Sequence, residues 1–231
     1  EVYTSLVDAT SGEVLASVNK VEDVDATGEA WEYYPGAASG GTAALANWTA
    51  AGWLPSGSTV LSGPFARVFA DLDDDDEVDP GEEATEPDSV WDYNLDVEQH
   101  AQGFCAPHPG FTSVCTWDST SQASWSTNRK QNSAQVFHFV NTFHDHLKLN
   151  PDIAWTTRTF ESGDRVIAHS DDGAATGVAG EWLGTLMPDV FHVSNANMYT
   201  PPDGESPRMQ MYLFTSFTGL FATDPTPDAN G

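Results

Sequence analysis

The strongest structural signal in this chain is a single helical period. Apolar residues recur three, four, seven and eleven positions after the first, at Val136, Phe139, Val140, Phe143 and Leu147. This spacing forms one apolar stripe on an amphipathic helix. Asn132 followed by Gln135 resembles a capping box, and Asn150-Pro151 is a typical stop. The pattern predicts one helix over about 132–148.

The other structured segments have the composition of short strands. Residues 2–18 predict a β-hairpin, because apolar and β-branched residues flank a Thr-Ser-Gly turn. Residues 59–73 predict a strand, a Gly-Pro turn and a second strand. Further strands are expected at 166–169, 190–199 and 208–214. The sequence therefore predicts a β-rich α+β fold with one clear helix.

Charge is the most unusual feature of the composition. The 231 residues contain 35 Asp and Glu against 8 Lys and Arg, which gives a net charge of −27. Such a chain repels nucleic acid and anionic membranes, so we expect neither as a partner. No apolar run approaches the roughly 20 residues of a membrane span. The balance fits a secreted or salt-tolerant protein.

Two cysteines lie close together in the segment "FCAPHPGFTSVC". Cys105 and Cys115 are predicted to form a local disulfide that closes a Pro- and Gly-containing loop, which would contribute roughly 2–3 kcal/mol. A disulfide indicates an oxidising compartment. Two free thiols, or half of a metal site, are the alternatives.

An acidic segment, "DLDDDDEVDPGEE", has the ligand spacing of a calcium loop. Its carboxylates occupy loop positions 1, 3, 5, 7, 9 and 12, at Asp71, Asp73, Asp75, Glu77, Asp79 and Glu82. Position 6 is Asp76 instead of Gly, Pro-Gly precedes Glu82, and the flanks do not look like two helices. We therefore predict a calcium-binding β-loop with Asp71, Asp73 and Asp75 as the main ligands. The alternative is a solvated acidic loop.

A complete catalytic constellation is absent from the sequence. None of the seven histidines begins an H-E-x-x-H motif, and His144 and His146 would point about 200° apart on a helix. There is also no G-x-S-x-G nucleophile motif and no phosphate-binding loop. The segment "HSDDGAATG" at 169–177 is expected to be a turn, although its two carboxylates could also hold a cation.

Several segments together resemble the fungalysin family of secreted zinc metalloendopeptidases, which have a thermolysin-like fold. They are "SWSTNRKQN", "NSAQVFHFVNTFHDHL", "DRVIAHSDDGAATG" and "VSNANMYTPPDGESPRMQMYLF". The most specific is N-A-N-x-x-T-P-P-D-G followed by R-M-Q-M-Y. The resemblance implies that residues 1–20 are the end of a propeptide-like hairpin, as in a zymogen. It further implies a β-rich region at 21–130 and an N-terminal peptidase lobe at 131–231.

The resemblance also indicates what is missing. In this family an H-E-x-x-H helix and a later glutamate hold the zinc, and the glutamate of the motif is the general base. That helix follows the R-M-Q-M-Y strand, and no such motif occurs here. The zinc ligands are therefore expected outside this chain, which alone should be inactive. The expected partners are the remaining C-terminal part of the peptidase and a peptide or protein substrate, in an extracellular setting.

Within the family resemblance, "SNANMY" matches the edge strand that binds peptide substrates. This match implies substrate-binding roles for Asn195 and Ala196, with Asn197 as a near alternate and Tyr199 at the cleft rim. An extended peptide adds to such a strand through main-chain hydrogen bonds. The rival hypothesis is a non-catalytic, calcium-stabilised extracellular module for binding or assembly.

Overall fold

The computed structural model describes most of the chain. The described residues are 3–19, 24–33, 35, 38–95, 116–118, 121–153, 164–178 and 186–214. Cys105 and Cys115 lie outside them, so the disulfide stays a prediction. The domain boundaries at residues 20 and 130 also stay predictions.

Nine strands, one α-helix and a short 3-10 helix form the described structure. In chain order they are β1 (Tyr3–Val7), β2 (Val14–Asn19), β3 (Thr27–Ala30), β4 (Ala44–Asn47), β5 (Ala66–Ala70), β6 (Val90–Trp91), the 3-10 helix (Ser124–Thr127), α1 (Arg129–Leu149), β7 (Val166–Ser170), β8 (Ala196–Tyr199) and β9 (Arg208–Met211). The predicted β-rich α+β class is confirmed. No helix in these residues is long and apolar enough to cross a membrane.

The largest sheet in the described residues has four strands, and it includes β8 and the strand that leads into the acidic loop. Its order is β5-β7-β9-β8, with β5, β7 and β9 parallel and β8 antiparallel to β9. Helix α1 packs on β5 and β7, which are buried at four of their five positions. Near-continuous burial is typical of parallel strands covered on both faces. Because β5 and β7 are parallel, their carboxyl ends lie at the same edge of the sheet.

Two smaller sheets complete the fold. The hairpin of β1 and β2 is antiparallel, as predicted from residues 2–18. Strands β4, β3 and β6 form a three-stranded sheet that is joined to α1 through the core. In that core the Trp48 ring lies 5.0 Å from Phe137 and 5.7 Å from Trp91. Gly28 on β3 leaves room for the indole, since a Cβ there would lie 2.1 Å from Trp48 Cη2.

Strand boundaries differ from the sequence-based expectations at several places. The predicted strand at 190–199 is ordered as β8 only from Ala196 to Tyr199, and the one at 208–214 ends as β9 at Met211. Of the two strands expected in 59–73, the second is β5, whereas the first makes only an isolated bridge between Ser62 and Arg67. Turns, bends and isolated bridges interrupt these segments where hydropathy alone predicts a continuous strand.

The helix begins three residues before the predicted start and uses no capping box. Asn128 is the N-cap residue, and no side chain caps the first turn. The Asn132 side chain instead donates to the Asp171 carboxylate at 2.7 Å, on the turn after β7. A tertiary hydrogen bond has therefore replaced the local cap that the sequence suggested.

The buried face of α1 coincides only in part with the predicted apolar stripe, because Val140 is buried and Val136 packs against the core. Phe139 and Phe143 are 41% and 57% exposed, whereas Phe137 is fully buried. Several buried residues on this face are polar, namely Gln131, Ser133, Asn141 and His144. Each has at least one partner: Gln131 donates to the Glu29 carbonyl, Ser133 shares a hydrogen bond with Ser170, Asn141 donates to the Phe137 carbonyl, and His144 bonds to Asp145. Within the described residues, Gln131 Oε1 and Asn141 Oδ1 are buried without a partner. Hydrophobic period alone does not detect a face of this kind.

Candidate functional site

The acidic loop begins where β5 ends and winds around the carboxylate of its first residue. Asp71 is completely buried, and it accepts hydrogen bonds from the backbone N–H groups of Asp75 at 3.1 Å and Asp76 at 3.0 Å. Asp76 has φ 66°, the left-handed conformation that Gly would supply at loop position 6. Asp adopts this region more readily than most residues. The missing Gly therefore does not prevent the loop from closing.

The last carboxylate of the loop closes it from the other side. Glu82 accepts hydrogen bonds from the N–H groups of Leu72 and Asp79, both at 2.8 Å. Ligand atoms of Asp71, Asp73 and Glu82 lie within 4.8 Å of one another, and so do those of Asp73, Asp75 and Asp79. Five of the six predicted ligands are thus brought together. Glu77 belongs to neither group, and its N–H bonds to Asp75.

Burial and mutual repulsion raise the pKa of two carboxylates in the loop. Burial, and then repulsion from Asp75, raises the pKa of Asp73. Burial also raises the pKa of Glu82, with Asp71 and Asp73 adding to the effect. A cation that takes several oxygen ligands relieves such repulsion, and calcium prefers six to eight oxygens.

Two further carboxylates of the loop, Asp74 and Asp76, face strand β9. Asp76 forms a salt bridge with Arg208. Asp74 accepts a hydrogen bond from Gln210 Nε2 at 3.1 Å through Oδ1, and it lies 3.0 Å from His192 Nε2 through Oδ2. The loop therefore has two faces. One is lined by the predicted calcium ligands, and the other contacts β9 through Asp74 and Asp76.

A buried histidine links the acidic loop to the turn after β7. His169 Nδ1 lies 3.1 Å from Asp71 Oδ2 and 2.9 Å from Asp172 Oδ2. Burial alone would lower the pKa of His169, but the hydrogen bonds to Asp172 and Asp71 outweigh it and raise the pKa to about 9. Of the predicted turn at 169–177, His169 and Ser170 are the last residues of β7, and the turn begins at Asp171, with positive φ at Asp171 and Gly173. That turn places Asp172 beside the acidic loop.

Strand β8 forms an edge of the four-stranded sheet. Among the described residues it pairs only with β9, and all four of its residues are exposed. Asn195 lies opposite Tyr212, and the Tyr212 N–H donates to the Asn195 carbonyl at 3.3 Å, so these two residues form a hydrogen-bonded pair. Along an antiparallel ladder, hydrogen-bonded pairs alternate with pairs whose N–H and C=O groups are directed away from the partner strand. The N–H and C=O groups of Ala196 and Met198 are therefore directed toward the free edge.

The side chains of the predicted substrate-binding residues have different surroundings. Asn195 is exposed beside the start of β8. Asn197 donates from Nδ2 to the Tyr212 hydroxyl at 2.8 Å. Tyr199, at the far end of the strand, is 54% exposed. The structure thus places all four residues on one exposed strand and the residue before it.

Sequence reasoning missed the residues that join the acidic loop to the sheet. Asp74 contacts His192 and Gln210, which lie 118 and 136 residues away, and Asp76 pairs with Arg208, which lies 132 residues away. No local spacing could have identified them, because the contacts arise when parallel strands bring their ends together. The one available signal was "HSDDG", which supplies Asp172.

Comparison with known proteins places the chain among the metallopeptidases. The model of the family described as "Fungalysin metallopeptidase (M36)" matches residues 99–229, more than half of the chain. The chain belongs to this family, and the resemblance stated from the sequence is confirmed. No curated protein matches it. Fungalysins are zinc-dependent and are typically secreted.

The described residues do not fit the catalytic zinc that the family implies. That zinc requires two histidines and a glutamate, whereas each possible metal group in the described part of the chain contains at most one histidine. His144 is buried, hydrogen-bonded to Asp145 and stacked on Phe65 at 3.8 Å. Its surroundings are those of a structural residue. The sequence also contains no H-E-x-x-H.

Proposed function

We propose that this chain supplies the substrate-binding strand of a secreted zinc metalloendopeptidase, an enzyme that hydrolyses peptide bonds. The zinc ligands are not among its 231 residues, and the chain alone is inactive. The observation that carries the proposal is the exposed edge of β8 in a chain of the fungalysin family. An edge strand with unpaired N–H and C=O groups is a template for an added peptide strand.

The substrate binds antiparallel to β8 through its main chain. Ala196 and Met198 provide the N–H and C=O groups, because their backbone groups are directed away from β9. The Asn195 carboxamide supplies a further hydrogen bond to the peptide backbone. Asn197 is less suited to that role, since its amide is already bound to Tyr212. Tyr199 borders the peptide at the end of the strand.

Binding of a peptide to the isolated chain tests this arrangement. The probe is an N-acetylated, C-amidated hexapeptide rich in Val and Thr, titrated by calorimetry. Asn195→Ala removes one hydrogen bond and should weaken binding by about 2- to 12-fold, from roughly 0.5–1.5 kcal/mol. Asn94→Ala is the matched control, because Asn94 is exposed and far along the chain from β8. Equal affinities for both variants would contradict the role of Asn195.

A protease assay tests the proposal that this chain holds the substrate-binding strand but not the zinc ligands. The chain is incubated with casein and Zn²⁺, with and without a chelator. We expect no hydrolysis, because no H-E-x-x-H is present. Cleavage by the purified chain that the chelator abolishes would refute the proposal that the zinc ligands lie elsewhere.

We further propose that the acidic loop binds one Ca²⁺ through Asp71, Asp73, Asp75, Asp79 and Glu82. The support is the convergence of these carboxylates around a closed loop whose backbone N–H groups fix Asp71 and Glu82. Because Asp74 and Asp76 attach the same loop to β9, calcium would also steady the strand that pairs with β8.

A further inference from the structure

We propose that Asp74, Asp172 and His192 form a second metal site, which takes a divalent transition-metal ion of the zinc type. The three residues come from the acidic loop, the turn after β7 and the segment before β8. One ligand atom of each lies within 4.8 Å of the others. The site does not depend on the peptide-binding role proposed above.

His192 is oriented as a metal-binding histidine usually is. Its Nδ1 lies 2.8 Å from Asp189 Oδ1, and its Nε2 faces Asp74 Oδ2 at 3.0 Å. Metal-binding histidines commonly donate their other ring N–H to a carboxylate, which fixes the tautomer and the ring direction. Asp189 is itself held by the N–H groups of Phe191 and His192. The imidazole is therefore prepared to present Nε2 as a ligand.

Asp172 has a buried oxygen that lacks a partner. The residue is 0% exposed, and its Oδ2 accepts hydrogen bonds from His169 and Gln210. Within the described part of the chain, Oδ1 has no hydrogen-bond partner. An unsatisfied buried carboxylate oxygen is costly, and coordination to a cation removes that cost.

The turn that carries Asp172 is built closely against the His192 ring. Gly173 has φ +65°, and a Cβ at this position would lie 2.3 Å from His192 Cγ. The absence of a side chain lets the turn and the imidazole approach each other. This approach brings Asp172 and His192 to the same side of the acidic loop.

Charge around the site is not balanced by the protein. Four carboxylates, from Asp71, Asp74, Asp172 and Asp189, surround two histidines, His169 and His192. Arg208 is paired with Asp76. With His169 protonated and His192 neutral, as a metal ligand must be, three negative charges remain uncompensated. A divalent ion would compensate two of them.

The ligand set favours an ion of the zinc type over calcium. Imidazole suits zinc and its neighbours in the first transition row, whereas calcium takes oxygen ligands. The Asp74 and His192 side chains are 35% and 14% exposed, so an ion can enter from solvent. Once bound, it would tie the acidic loop to the segment that leads into β8.

Cobalt titration of the whole chain tests the site. Co²⁺ is added in excess Ca²⁺, which occupies all-oxygen sites, and visible absorption reports imidazole-bound cobalt. We expect saturable binding of one Co²⁺ that Zn²⁺ displaces. His192→Gln and Asp74→Asn should each weaken binding at least tenfold. His146→Gln is the matched control, because His146 is exposed on α1 and should leave binding unchanged.

Other outcomes overturn the proposal. The absence of saturable Co²⁺ binding, or unchanged binding in His192→Gln, would refute it. Unchanged binding in His192→Gln together with loss in His169→Gln would assign the ion to the buried group of Asp71, His169 and Asp172 instead. Asp74→Asn replaces an exposed residue, so circular dichroism should show that the variant still folds. Peptide binding is measured separately, and its failure would leave the cobalt result unaffected.

Discussion

Replacing Phe137 by Ala tests the orientation of α1, the helix that packs on β3, β5 and β7 in the core. Phe137 is completely buried, with its ring 5.0 Å from Trp48. Truncation of a buried Phe to Ala costs about 3–5 kcal/mol, because transfer energy is lost and a cavity remains. In a chain of this size 1 kcal/mol shifts the melting temperature by about 2–4 °C. We therefore expect a fall of roughly 6–20 °C.

Phe143→Ala provides the matched comparison on the same helix. Phe143 is 57% exposed, so its truncation should cost only about 1 kcal/mol. The assay is urea denaturation of both variants, with the midpoint and the m-value measured for each. The apolar stripe of the sequence would make Phe143 the more important residue. A larger loss of stability for Phe143→Ala than for Phe137→Ala would refute the orientation described here.

Two further predictions concern the acidic loop and the core. Millimolar Ca²⁺ should raise the melting temperature by about 5–11 °C, from roughly 2.7 kcal/mol at a hundredfold excess over Kd. Asp73→Asn should remove most of this shift, because Asp73 belongs to both ligand groups of the loop; an undiminished shift in this variant would exclude Asp73 as a ligand. Gly28→Ala should destabilise the chain by about 1–3 kcal/mol, since its Cβ would overlap the buried Trp48 ring, and yet it should leave the calcium shift intact. Unchanged stability of Gly28→Ala in calorimetry would show that the core is looser around β3.

The sequence predicted the local elements of this fold better than their arrangement. The hairpin of β1 and β2 has a self-contained turn signal, and α1 is long enough for its period to be clear. The start of β8 and the end of β9 were less predictable, because neither position is marked by a Gly or Pro. The buried face of α1 depends on partners such as Ser170, which no pattern within the helix can indicate.

The same distinction applies to the site. Spacing within one loop indicated Asp71, Asp73 and Asp75, and the structure brings them into overlapping groups of carboxylates. His192, which precedes β8, and Gln210, on β9, reach the site only through the tertiary fold, since their partner Asp74 is 118 and 136 residues away. The role of β8 was predicted from family resemblance, because two asparagines and an alanine have no intrinsic catalytic chemistry.

Amide hydrogen exchange along β8 tests the central claim most directly. The exchange of individual amides is measured by nuclear magnetic resonance, with and without a saturating extended peptide. Strand addition predicts that the amides of Ala196 and Met198, which face the free edge, become protected. The Asn197 amide, which faces β9, should change much less. Peptide binding that leaves the Ala196 and Met198 amides unprotected would contradict the assignment of β8 as the substrate strand.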